Sequence, residues 1–129
     1  MYKTMVLILT GILIMFPLGS IFSAETLGYA NPNPFKIQTA SSKTQINVTH
    51  STTYAASYYI KIYDMMGRLV RSWSRTNQSS SFYEEWDGKN AKNKQVRSGI
   101  YIIFIRRVVD QNNEKDASSI FRLAVLKDY

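Results

Sequence analysis

Apolar and polar residues alternate in short runs separated by turn-forming residues, a spacing that predicts β-strands and no helix beyond residue 24. In 43–51, KTQINVTHS, residues Thr44, Ile46, Val48 and His50 fall on one face and Gln45, Asn47 and Thr49 on the other, which predicts a half-buried strand. In 57–64, SYYIKIYD, residues Tyr58, Ile60 and Ile62 alternate with Tyr59, Lys61 and Tyr63. Asp64-Met65-Met66-Gly67 predicts a turn, and 68–73, RLVRSW, the return strand of a hairpin. The polar stretch 74–81 predicts a loop. In 82–86, FYEEW, residues Phe82, Glu84 and Trp86 share one face against Tyr83 and Glu85. A long polar turn follows, opened by Asp87-Gly88 and closed by Ser98-Gly99, with Asn93 suited to a left-handed position. The unbroken run 100–105, IYIIFI, predicts a central strand covered on both faces. After a polar turn at 110–116, the stretch 118–126, SSIFRLAVL, predicts the last strand. The two prolines in 31–35, NPNPF, exclude helix and central strand, so this segment is an extended edge with Phe35 turned into the core. The pattern as a whole implies an all-β antiparallel sandwich or small barrel.

The first 24 residues read differently. Lys3 precedes an apolar run over 5–16, which Pro17 and Gly19 break, with Ser20, Ser23 and Ala24 as small residues beyond. This is the layout of a secretory signal peptide over 1–24. The competing reading is an uncleaved anchor, but the span is short for a hydrocarbon layer of about 30 Å. Residues 25–32 are expected as a flexible leader and 33–129 as the folded domain. Removal of the signal leaves about 105 residues, the size of one domain. Nine Tyr, six Phe and two Trp favour pleated surfaces over helices. The net charge of +7 is spread over scattered Lys and Arg without a dense run, which implies a basic soluble surface more than a nucleic-acid site.

Candidate chemistry is sparse. Without Cys there is no disulfide, thiolate nucleophile or lipidated anchor. His50 is the single histidine, so a metal or nucleophilic site lacks parts, and a place near the surface of a strand is expected. Glu84 and Glu85 point to opposite faces and cannot act as an acid–base pair. Glu84, on the apolar face, is expected at a rim or paired with Arg68, Arg71 or Arg122. Asp64 and Asp87 read as turn-capping groups, since no DxDxDG spacing supplies calcium's oxygens. The expectation is a protein with no enzymatic activity, no cofactor and no metal. Tyr59, Lys61, Tyr63 and Tyr83 are candidates for a partner surface if their rings are exposed.

Residues 59–70, YIKIYDMMGRLV, resemble the "I-Y-D-x-x-G-R-x-V" hairpin of the immunoglobulin-like domain of flagellar hook-capping proteins. Trp86-Asp87-Gly88, Asn90, Val96 and Gly99-Ile100-Tyr101 resemble that family's second signature, with Asn93 where a Gly is usual. The NPNPF segment resembles the opening of type IX secretion C-terminal sorting domains. The resemblance implies an immunoglobulin-like sandwich of about seven strands whose signature residues Asp64, Gly67, Arg68, Trp86, Asp87, Gly88, Asn93, Gly99 and Tyr101 are structural. Tyr101 would then bond back to the preceding loop as a tyrosine corner. The function so implied is a non-catalytic bacterial module, exported to the periplasm or cell surface, for protein–protein interaction or assembly at the envelope. The expected partner is an envelope or secreted protein, with no nucleic acid and no membrane span after signal cleavage. Alternatives are a carbohydrate-binding adhesin module using exposed Tyr and Trp, or a sorting-type domain without cargo.

Overall fold

The computed structural model describes residues 5–9, 12–16, 25–109 and 116–128. Two short strands, β1 (Met5–Leu9) and β2 (Ile12–Phe16), pair with each other in a separate two-stranded ribbon. The remaining parts of the expected signal segment, and most of the 110–116 turn, lie outside the described residues.

Eight further strands form the sandwich: β3 (Gly28–Asn31), β4 (Phe35–Ile37), β5 (Thr44–Val48), β6 (Ala56–Tyr63), β7 (Leu69–Gln78), β8 (Phe82–Trp86), β9 (Gly99–Val109) and β10 (Ala117–Lys127). One sheet has the order β4-β10-β9-β6-β7 and the other β3-β5-β8. All neighbours are antiparallel except β4 and β10, which run parallel with Phe35 opposite Val125 and Ile37 opposite Lys127.

The alternation read in the sequence decides which side chains meet between the sheets. Tyr58, Ile60 and Ile62 of β6 are fully buried, as are Ile103 and Ile105 of β9 and Leu123 and Val125 of β10. Ile46 and Val48 of β5 and Trp86 of β8 face them. Burying each such side chain stabilises the fold by roughly 1.5–3 kcal/mol. Ring contacts cross the interior, among them Tyr58 to Phe82 at 5.4 Å and Trp86 to Tyr101 at 5.7 Å. Phe35 sits against Trp86 at 6.1 Å, in the core as its place after Pro34 implies.

Several expectations change. The run after Gly99 is central in its sheet, but only one face is closed: Tyr101, Ile103 and Ile105 are buried while Ile100 is 40% exposed. A sandwich has two layers, so each sheet keeps one face toward water. The strand also runs on through Arg106 and Arg107 to Val109. The loop expected from residue 74 instead continues β7 to Gln78, because polar residues on an edge strand satisfy its backbone as well as apolar ones do. Residues 25–32, expected as a flexible leader, contain β3 and the fully buried Leu27. Glu25 is tied down too, pairing with buried Arg107 at 2.7 Å. Glu84 is a rim residue as expected, but its partner is Arg75, not Arg68, Arg71 or Arg122. That ion pair joins edge strand β7 of one sheet to edge strand β8 of the other.

The anchored start of the chain is testable. Leu27→Ala should lower unfolding stability by about 2–5 kcal/mol, as for other buried leucines. A urea midpoint unchanged from wild type would contradict the placement of Leu27 in the core.

Candidate functional site

The signature residues gather at one end of the sandwich and build two turns of the same design. In the first, Asp64 accepts through Oδ1 from the amides of Met66 (2.9 Å) and Arg68 (3.0 Å), and through Oδ2 from Arg68 Nε (2.8 Å). The Asp64 amide donates to Arg68 O, and the Gly67 amide donates to Asp64 O, both at 3.0 Å. Gly67 takes φ +79°, the left-handed residue that closes a three-residue hairpin loop. The amide donors, above all that of Arg68, hold the Asp64 carboxyl below its ordinary range, with the Arg68 side chain adding to the effect.

The second turn repeats this pattern with Asn90 in place of Asp64. Asn90 Oδ1 accepts from the amides of Lys92 and Lys94 at 3.0 Å. The Asn90 amide donates to Lys94 O and the Asn93 amide to Asn90 O. Asn93 supplies the left-handed residue at φ +62°. A bridge between Lys89 and Gln95 closes the loop below it. The sequence reading places Asn90 in the family's second signature, without the amide-capping role it has here. The available signal was the common spacing of DMMGR and NAKNK: a side-chain acceptor, a residue tolerant of positive φ three later, then a cation.

Trp86 sets the second turn against the core. Its ring is buried and its Nε1 donates to Lys89 O at 2.9 Å. Asp87 accepts from the Lys89 amide, and Gly88, at φ +75°, accepts from the Val96 amide and Gln95 Nε2. The turn then docks on the edge of β7, where the Ala91 amide donates to Val70 O and Arg71 to Asn90 O. At the start of β9, the Tyr101 hydroxyl donates to Arg97 O at 2.8 Å, and burial pushes its phenol above the usual range.

Between the two turns and the start of β9 lies an open cleft of about 820 Å³. Val70, Val96 and Tyr101 line its floor, and its lip carries Met65 (67% exposed), Met66 (81%), Leu69 (55%) and Ile100. Arg68, Lys92 and Arg97 stand around it, and Asp64 is the single carboxylate in its lining. Nothing in the alternation pattern signalled this cleft, because its lip comes from a turn and from strand ends.

The four expected partner residues do not form one surface. Tyr59, Lys61 and Tyr63 share the outward face of β6, with Tyr59 39% exposed. Tyr83 stands on the outward face of the other sheet, in line with Asn47 and Tyr29, and so on the opposite side of the sandwich. His50 lies just past β5, not within it, and its Nδ1 is 2.8 Å from the hydroxyl of buried Tyr58. Among the described residues no group of three or more His, Asp and Glu side chains is placed to hold a metal ion.

The family model described as FlgD Ig-like domain matches residues 35–107, more than half of the chain. Among solved structures, dimeric latent PorU from Porphyromonas gingivalis is similar at a TM-score of 0.60 and 18% identity. That match covers 78% of this chain and 9% of the PorU chain, so the present chain spans a small fraction of that protein's length. CopC from Methylosinus trichosporium OB3b is similar at a TM-score of 0.50 and 13% identity, over 81% of this chain and 95% of that one. At these identities the likeness is one of fold. No curated protein matches the chain.

The two turns lead to two measurements. Gly67→Ala should cost about 1–2 kcal/mol from left-handed strain alone, since nothing lies within 4 Å of the added methyl. Gly88→Ala should cost about 1–3 kcal/mol more, because its methyl would lie 2.6 Å from Ile37 Cδ1 and 2.7 Å from Gln95 Nε2. Equal losses in chemical denaturation would contradict the packed position of Gly88. Asp64→Asn should copy the Asn90 turn and lose only what depends on charge. A lowered carboxyl contributes stability above its unfolded pKa, and that contribution disappears as pH falls through the folded value. The melting-temperature gap between wild type and Asp64→Asn should therefore be present at neutral pH and close in acid.

Proposed function

The chain belongs to the FlgD Ig-like domain family, and on that premise we propose that it is an exported, non-catalytic module for protein–protein interaction or assembly at the bacterial envelope. The observation that carries this reading is the cleft. Met65, Met66, Leu69 and Ile100 place apolar surface in water at one end of a closed sandwich, around walls fixed by turn and backbone hydrogen bonds. Exposed apolar surface rimmed by polar groups is the mark of an interaction site, and methionines adapt to partners of differing shape. Walls already held in place lower the ordering cost of binding. Chemistry would need a nucleophile, a paired acid and base or a metal cluster, and the side chains at the cleft offer none of these arrangements.

The export claim rests on the apolar run over 5–16 and its small-residue boundary. A chain cut after Ala24 would keep Glu25, which pairs with Arg107. The exported form should have the mass of a chain beginning at Glu25, and an intact Met1 would defeat cleavage.

A second reading, carbohydrate binding, is favoured by one feature: Tyr59 and Tyr63 flank Lys61 on one outward face. Cross-linking in intact cells followed by capture of the tagged protein should recover one specific envelope protein. Clear sugar binding on a glycan array, without protein capture, would replace the assembly reading with the adhesin reading.

A further inference from the structure

The register of the larger sheet leaves one place empty beside the cleft. β6 pairs with β9 from Ala56 opposite Val109 to Tyr63 opposite Ile102, and the chain then turns away at Asp64. β9, however, begins three residues earlier, at Gly99. On its other flank β10 pairs with all three of these residues, with Leu123 opposite Tyr101, Ala124 opposite Ile100 and Val125 opposite Gly99. On the β6 flank, among the described residues, no strand pairs with them. The cleft opens on this flank, since Gly99, Ile100 and Tyr101 belong to its lining.

The charges left unpaired around the empty place are of one sign. Asp64 is already engaged by Arg68 and by the amides of its own turn. Lys92 and Arg97 face the cleft and form no ion pair among the described residues. An occupant therefore meets uncompensated positive charge on the rim, apolar side chains on the lip, and an unpaired strand flank.

We propose that the cleft binds an extended peptide segment bearing carboxylates, which takes the strand place that β6 vacates beside Gly99, Ile100 and Tyr101. Backbone pairing with β9 supplies affinity, and alternate side chains supply selection. One set of side chains rests on Val70, Val96 and the methionine lip, while carboxylates reach Lys92 and Arg97. At about 3.3 Å per residue the vacated place accommodates three or four residues of extended chain. The proposal rests on the protein-binding reading above and gives it a site and a partner chemistry.

The test uses the full chain in its exported form and two capped synthetic peptides, acetyl-EVEVEVE-amide and acetyl-KVKVKVK-amide. The acidic peptide should shift the backbone amide resonances of Gly99, Ile100 and Tyr101 and slow their hydrogen exchange, and the basic peptide should leave them unchanged. The double variant Lys92→Glu with Arg97→Glu should weaken acidic-peptide binding by at least about tenfold. Both side chains are exposed and unpaired, so the variant should keep the wild-type melting temperature. No shift at about 1 mM acidic peptide, an equal response to the basic peptide, or shifts confined to the Tyr59 face would overturn the proposal. Self-association of the protein through this flank, seen as dimer in sedimentation and lost in the double variant, would also overturn it in favour of a second copy. In the cellular capture, a partner retained undiminished by the double variant sinks this site but leaves the module's binding role standing, whereas no partner with wild type removes that role itself.

Discussion

The position of the Trp86 indole governs the rest of the structure. The ring is large enough to reach from the three-stranded sheet to Phe35 and Tyr101 of the five-stranded one, so it sets the separation of the layers at this end. Its one polar atom cannot be left unsatisfied in that interior, and it finds Lys89 O three residues on. That bond folds the chain back over the ring. Gly88 is then pressed against Ile37 and Phe35, and the loop returns through Val96 to the start of β9. The cleft is a by-product of this closure, since the same loop that lids the tryptophan becomes one of its walls.

The opposing wall is the Asp64 turn, and the likeness of the two walls is chemical as well as geometric. Each uses one side-chain oxygen to hold two amides and one residue of positive φ to bring the chain round. The difference is that Asp64 carries a charge which Arg68 absorbs, whereas Asn90 is neutral and offers no carboxylate to Lys94, the cation in the matching position. The second wall therefore adds no negative charge to a rim that already carries Lys92 and Arg97.

Much of the fold was legible because period-two patterning and burial are two expressions of the same geometry. The inward sets Thr44, Ile46, Val48 and Tyr58, Ile60, Ile62 needed nothing beyond alternation. The failures share a cause. β3 is four residues of GYAN, with too little pattern to separate it from a leader, and only its pairing with β5 makes it a strand. The far half of β7 is polar because it is an edge, so hydropathy could not report it. Arg75 rather than Arg71 reaches Glu84 because the pair spans two sheets, which no local reading can register. The grouping of Tyr83 with Tyr59 and Tyr63 failed for the same reason: residue type predicts exposure, but only topology assigns a side of the sandwich.

The parallel pairing of β4 with β10 has a mechanical consequence. A tension that draws the chain before Phe35 one way and the chain after Lys127 the other slides these two strands past each other along their length. Their ladder bonds, with Phe35 locked beneath Trp86, are then strained together and must rupture as a group, whereas the bonds of a hairpin pulled from its open end break in succession. Force applied at these two points would therefore be carried by the first and last strands of the five-stranded sheet acting together.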